Sequence, residues 1–393
     1  MAREASPKIS PQVILLGVAA MLNDISSDII YPLLPIFLTS YIGATPLVTG
    51  MIEGVAEAVS SILKYASGFW SDRMARRKPF VISGYFLAGA ARAIVAVATQ
   101  WPLVLVGRLL DKTGKGLRSA PRDAMICDVT PPENRGKAFG LHRAFDNAGA
   151  VIGPLMAAAG LGLLHLSLPR IFLFAVVPAA IGVVMLMFLL KEEHRYKAPS
   201  SRTEISAAPL GRHFWTSIGS IALFYLSNSS DVFLILQAHA SGVSVAMIPV
   251  LWSAHHVVKV LFSTKAGALS DRVERTHLLV AGWLVYAVIY FVFPFAGSLP
   301  MFLILFVAYS IPFTLTEGAE RAWISDLVPQ DGRGKSFGVY HMTVGICTLA
   351  GTALFGILYQ EVSPRAAFHT GAAIALLAAL SITVQKRGAR GVV

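Results

Sequence analysis

Cysteine is nearly absent from this sequence: Cys127 and Cys347 are the only two among 393 residues. One lies at the end of an apolar segment and the other inside one, so they cannot be read as a disulfide framework. Charge is scarce as well. Asp, Glu, Lys and Arg together make up 14% of the chain, against about 25% in a soluble domain. Acid is scarcer than base, 22 residues against 33, which leaves a net charge of +11. Common enzyme signatures are missing too: G-x-S-x-G, H-E-x-x-H, C-x-x-C and G-x-x-x-x-G-K-[ST] do not occur. The last absence excludes ATP-driven transport by this chain alone. Neither an enzyme nor a cofactor is expected.

What is present is apolar: 55% of the residues are hydrophobic. The apolar runs recur at lengths near the roughly 20 residues that a helix needs to cross a bilayer. Twelve candidate spans follow. The first six run near 11–38, 46–67, 79–98, 102–125, 137–164 and 170–190. The second six run near 213–238, 245–268, 277–295, 300–324, 334–359 and 365–385. The expected fold is therefore an all-α polytopic membrane protein surrounded by lipid. Residues 191–212 are polar, carry Pro and Ser, and have no apolar period. They read as a linker between a six-helix unit over 1–190 and another over 213–393. The polar N-terminus shows no small-residue cleavage pattern, so no removable signal peptide is expected.

Placement explains the positive excess without nucleic acid. Alternate loops hold Arg73, Arg76, Arg77, Lys78, Arg135, Lys137, Lys191, Arg272, Arg275, Arg333 and Lys335, whereas the others hold only Arg170 and Arg365. Such a bias puts the basic loops, the linker and both termini on the cytoplasmic side. The expected location is the cytoplasmic membrane.

One basic loop occurs twice. G-F-W-S-D-R-M-A-R-R-K-P begins at Gly68, and G-A-L-S-D-R-V-E-R-T begins at Gly267, with Asp72 answering Asp271. Likewise D-V-T-P-P-E-N-R-G-K-A-F-G from Asp128 matches D-L-V-P-Q-D-G-R-G-K-S-F-G from Asp326, and N-D-I-S-S-D around Asp28 resembles S-N-S-S-D around Asp231. The chain is a duplicated structure with parallel halves, an arrangement that places a binding site near mid-membrane between them.

On these residues the chain resembles the major facilitator superfamily over essentially its whole length. That family's G-x-x-x-D-R-x-G-R-[RK] loop maps onto Gly68, Asp72, Arg73, Arg76 and Arg77, with Ala75 where Gly is usual. The copy at Gly267, Asp271, Arg272 and Arg275 has Glu274 there. Gly149, Gly153 and Pro154 supply the G-x-x-x-G-P of antiporter members. Asp111 and Lys112 depart from the family's R-x-x-Q-G-x-G, which Arg108 and Gly114 otherwise satisfy. The resemblance implies two pseudo-symmetric six-helix bundles and secondary transport by alternating access. It also implies that Asp72 and Arg76 belong to a conformational latch between spans 2 and 11. Gly68, Arg73, Asp271 and Arg272 would share that role, with Arg122, Asp123 and Asp128 completing its charge network.

Ionisable groups inside a bilayer are costly and so mark function by default. Asp24, Asp28, Glu53 and Glu57 fall at mid-depth on spans 1 and 2 and are the candidate proton carriers, because burial favours a carboxyl's neutral form. Asp24 leads, being a span 1 acid with Ser227 rather than an acid opposite it in the repeat, and Glu57 is second. Arg108, Asp111, Lys112, Lys115, Arg118 and Arg122 follow one another at three or four residues, a charged stripe on one helix face. Arg108, Asp111, Lys112, Lys115, Asp146, His255, His256 and Glu317 are the candidate substrate contacts. The alternative is that acids and bases merely pair and hold the half together. His255 and His256 are adjacent, so one alone should face a cavity, and no metal-ligand cluster is legible. The expected cargo is a small polar or amphiphilic solute, anions included, exported against protons by a functional monomer. Uptake of an organic anion, or movement of a metal or its chelate, is the competing reading.

Overall fold

The computed structural model describes residues 10–74, 76–131, 134–192, 210–270, 273–327 and 333–390. Twelve long helical segments emerge in two sets of six. The first set is α1 (Pro11–Tyr41), α2 (Pro46–Met74), α3 (Lys78–Ala96), α4 (Trp101–Asp128), α5 (Arg135–Gly162) and α6 (Leu168–Leu189). The second is α7 (Arg212–Ala240), α8 (Ile248–Ser270), α9 (Arg275–Phe295), α10 (Leu299–Asp326), α11 (Arg333–Ile357) and α12 (Pro364–Arg390). Proline in the first turn starts α1, α3, α4, α6 and α10. A proline there forfeits only an N–H that has no intrahelical partner. Among the described residues ten of the helices are long and apolar enough to cross a membrane; α4, with its charges, is not one of them, and α8 contributes the shorter apolar stretch Ile248–Phe262.

Duplication is visible in the packing. In the first bundle α1 lies on α5 and α6, α2 on α4, and α3 on α4 and α6. In the second, α7 lies on α11 and α12, α8 on α10, and α9 on α10 and α12, the same pairings six helices later. An ion pair repeats as well. Arg77 holds Asp128 in the first bundle, and Arg275, which answers the neighbouring Arg76, holds Asp326 in the second. Asp128 and its counterpart thus pair inside their own bundles here. In the linker expected over 191–212, residues 193–209 lie outside the described set. Its first residues are tied down: Glu192 accepts from the Arg77 and Lys78 backbone N–H groups at 2.9 and 2.8 Å, at the start of α3. An anion is favoured at that helix end.

The leading helix of each bundle is interrupted at mid-course. Asn228–Asp231 separates the helices Arg212–Ser227 and Val232–Ala240. The local sequence S-N-S-S-D explains it, since these short polar side chains compete for backbone hydrogen bonds. In α1 the regular helix ends at Ile30 and resumes irregularly from Leu34, where Pro32 and Pro35 remove donors.

The bundles differ inside. The second has one continuous core rich in aromatics, with Phe224 stacked on Trp283 and Tyr286 on Tyr290. The first has two separate apolar layers, one around Phe37 and Phe172, the other around Leu16, Tyr85 and Leu186. Charged side chains fill the gap between them.

Between bundles, α2 meets α11 and α5 meets α8. Contact is tight at the end away from the basic loops. There an added Cβ on Gly50 would stand 2.6 Å from Phe233, and Ser253 Oγ donates to Val151 O at 3.1 Å. Toward the basic end the bundles part, and Arg143 of α5, Glu317 of α10 and Met342 of α11 are exposed. The structure is closed at one end and open at the other.

Candidate functional site

The gap in the first bundle holds a ladder of ions drawn from four helices. Arg108 of α4 grips Glu53 of α2 with two bonds, Nε–Oε1 at 2.6 Å and a terminal nitrogen to Oε2 at 2.7 Å. Its remaining nitrogen meets Asp111 at 3.0 Å. Asp111 also faces Arg92 of α3 at 3.4 Å, and Arg92 donates to Asn23 Oδ1 at 3.0 Å. Asn23 in turn donates to Asp24 at 3.0 Å. One turn along α4, Lys112 holds Glu57 at 2.5 Å, and Lys64 stands 3.9 Å from the same carboxylate.

These contacts sort the candidate proton carriers. Glu53 and Glu57 are each held by a cation, and Arg108, with all three nitrogens engaged, has none left for a solute in this state. No ion pair among the described residues reaches Asp24 or Asp28. Asp24 has the Asn23 amide, and Asp28 has Trp252 Nε1 from the other bundle at 3.4 Å. The G-x-x-x-G-P pattern explains how this turn of α1 is seated. A Cβ at Gly149 would lie 2.6 Å from Met21 O and 2.9 Å from Asp24 Cβ; one at Gly153 would lie 2.5 Å from Ile25 O and 3.2 Å from Asp28 Cβ. Only glycine lets α5 come so close to the acids.

Between the bundles lies a cavity of about 280 Å³, bordered by α1, α2, α4, α7, α8, α10 and α11. Glu53, Glu57 and Lys112 reach it from the first bundle, and Asp231, His255, His256 and Lys259 from the second. Aromatic rings of Tyr31, Trp252, Tyr309 and Phe313 complete the wall. Asp231 sits in the α7 interruption, where Tyr309 donates to it at 2.7 Å and Tyr31, from the first bundle, at 3.5 Å. Both histidines border the cavity, contrary to the expectation that one alone would. His255 stacks on Trp252 and bonds through Nδ1 with Phe306 O at 3.3 Å, whereas His256 Nε2 is enclosed and unpartnered.

A second crevice of similar size continues toward the basic end. It is lined by Arg143, Asp146, Lys259, Glu317 and Arg321. Asp146 pairs with His142 at 3.3 Å, and Glu317 lies 3.3 Å from Arg321 and 3.8 Å from Arg143 across the bundle interface. Lys115 is exposed. Of the latch candidates, Arg122 pairs with its neighbour Asp123 at 3.0 Å, and Arg73 and Arg76 are exposed. Gly68 and the Asp72 side chain, like Asp271 and Arg272, lie outside the described residues. Among the described residues no group of three or more His, Cys, Asp or Glu side chains converges as metal ligands would.

The sequence pattern pointed neither to Arg92, a lone charge in an apolar span, nor to Asp231 as a cavity residue. Asn, three serines and Asp interrupting an apolar run were the available signal for Asp231. Tyr31 and Trp252, which meet across the bundles with ring centroids 5.2 Å apart, gave none.

The sequence profile of the Major Facilitator Superfamily matches residues 16–254 and again 216–391. An uncharacterised MFS-type transporter of Methanocaldococcus jannaschii is 32% identical over 383 residues, covering 96% of this chain and 95% of that protein. The multidrug resistance protein MdtH of Salmonella arizonae is 23% identical over 327 residues, covering 81% and 78%. Among solved structures, a bacterial homologue of the human lysosomal transporter Spinster, inward-facing and occupied, superposes with a TM-score of 0.75 at 17% identity over 95% of this chain and 96% of that one. A POT-family transporter bound to a thioalcohol-conjugated peptide gives 0.79 at 12% identity over 96% of each. The chain belongs to the major facilitator superfamily and is a membrane transporter, not an enzyme.

Proposed function

We propose that this transporter exports a small polar or amphiphilic solute in exchange for protons, with the basic end cytoplasmic and the state described here open to the cytoplasm. The observation that carries this reading is the seating of Asp24 and Asp28. Glu53, Asp111 and Glu57, the other carboxylates of the ion ladder, are each paired with a cation. Asp24 and Asp28 have neutral partners and lie where the glycine pair of α5 presses on α1. A carboxyl without a cation can hold a proton in one state and release it when the bundles rearrange. Asp28 also reaches Trp252 across the interface, so its protonation bears on whether the bundles hold together. The ionised pairs Glu53–Arg108 and Glu57–Lys112 then serve as fixed counter-charges. Similarity to a multidrug resistance protein supports the outward direction of transport.

The test is flux in proteoliposomes under an imposed pH gradient, with the solute found by a thermal-shift screen. Asp24→Asn should abolish gradient-driven transport while preserving binding and solute exchange. Glu57→Gln, which removes a paired acid, should retain coupling. Full gradient-driven transport by both Asp24→Asn and Asp28→Asn would overturn the assignment.

A further inference from the structure

Building on that transport reading, we propose that the cargo is an aromatic zwitterion, its ammonium held by Asp231 and its carboxylate held between Lys259 and His256. The cavity wall carries both signs of charge, Asp231 on one side and Lys259 with His256 on the other. Glu53 and Glu57 are neutralised by Arg108 and Lys112. Asp231 is bonded by two tyrosine hydroxyls, both of which can remain hydrogen-bonded while a cation approaches. It sits where α7 is interrupted, beside the C-terminal end of Arg212–Ser227, and the carbonyls at such an end favour positive charge. Tyr31, Trp252 and Tyr309 surround that spot, and aromatic faces attract ammonium groups.

The opposite charge is one turn away. Tyr309 touches Asp231, while Phe313, four residues further along α10, lies under Lys259 Nζ at 5.9 Å. Four residues of helix rise about 6 Å. His256, three residues before Lys259 on α8, brings an enclosed ring nitrogen without a partner to the same wall. A solute bridging these points carries opposite charges several ångströms apart on a body flat enough for the ring-lined space between.

The experiment uses the full-length purified protein and three triplets of probes. Phenylalanine, phenylalanylalanine and para-aminomethylbenzoic acid are each supplied as the free zwitterion, the methyl ester and the N-acetyl acid. Losing one charge-assisted bond should weaken binding by about tenfold or more. At least one zwitterion should therefore bind that much tighter than both of its masked forms. Asp231→Asn should erase the preference over the N-acetyl acid, and Lys259→Gln the preference over the ester. Equal binding of masked forms throughout, or no binding by any probe, overturns the proposal. Flux is read separately: a zwitterion that binds with this charge dependence yet does not cross proteoliposomes sinks the transport reading and leaves the site standing.

Discussion

At the scale of single residues, the ion ladder shows how a membrane bundle tolerates groups that its surroundings penalise. Arg108, Glu53, Asp111 and Arg92 are all buried, and each charge is answered. Such a pair adds little net stability over apolar packing, but removing one member strands the other. Arg108→Ala should therefore cost about 3–5 kcal/mol, since both Glu53 and Asp111 lose a partner. Glu53→Gln combined with Arg108→Gln should recover part of that loss, and thermal unfolding in detergent measures both. A double variant no more stable than Arg108→Ala would mean that the pair is not coupled. Glu57 should be more forgiving, because its side chain is 38% exposed against 7% for Glu53.

Glycine works at the scale of helices. Gly149 and Gly153 bring α5 onto α1, and a methyl group at Gly153 would push against Ile25 O. Gly153→Ala should cost about 1–3 kcal/mol as an overpacked contact and shift Asp24 and Asp28 relative to the cavity. Gly160→Ala, whose new methyl would meet nothing closer than 3.5 Å, is the control. Stability and gradient-driven flux in the two variants decide it; equal behaviour would leave the motif without a positioning role. Much at this scale was legible beforehand. Helix number and the duplication followed from apolar runs and from repeated loops, because membrane length and topology constrain both. The stripe on α4 was legible from its spacing of three and four. Its partners were not, because pairing depends on helix rotation, which hydropathy does not encode. Arg92 illustrates the gap: nothing local tells a lone arginine in an apolar span that Asp111 awaits it.

At the scale of the whole molecule, alternating access requires the closed end to open and the open end to close. With the basic end cytoplasmic, reporter fusions after residues 40, 168 and 298 should be external and one at 200 internal. An internal reporter at 168 would overturn that orientation. The latch concerns the state absent here. In this structure Arg122, Asp123 and Asp128 pair within the first bundle, and α11 exposes Met342 toward the open end. Closing that end would bring the start of α11 toward the end of α2, where an anion gains from the helix N-terminus. Asp72 is the residue proposed to supply it. Asp72→Asn should then leave expression intact, slow transport and enrich the state described here. A cysteine at Met342, in a background with Cys127 and Cys347 replaced, reports the shift. An impermeant maleimide applied from the cytoplasmic side should label it faster in the Asp72→Asn protein. Equal labelling with unaltered transport would remove Asp72 from the latch and leave the basic loop as a determinant of topology alone.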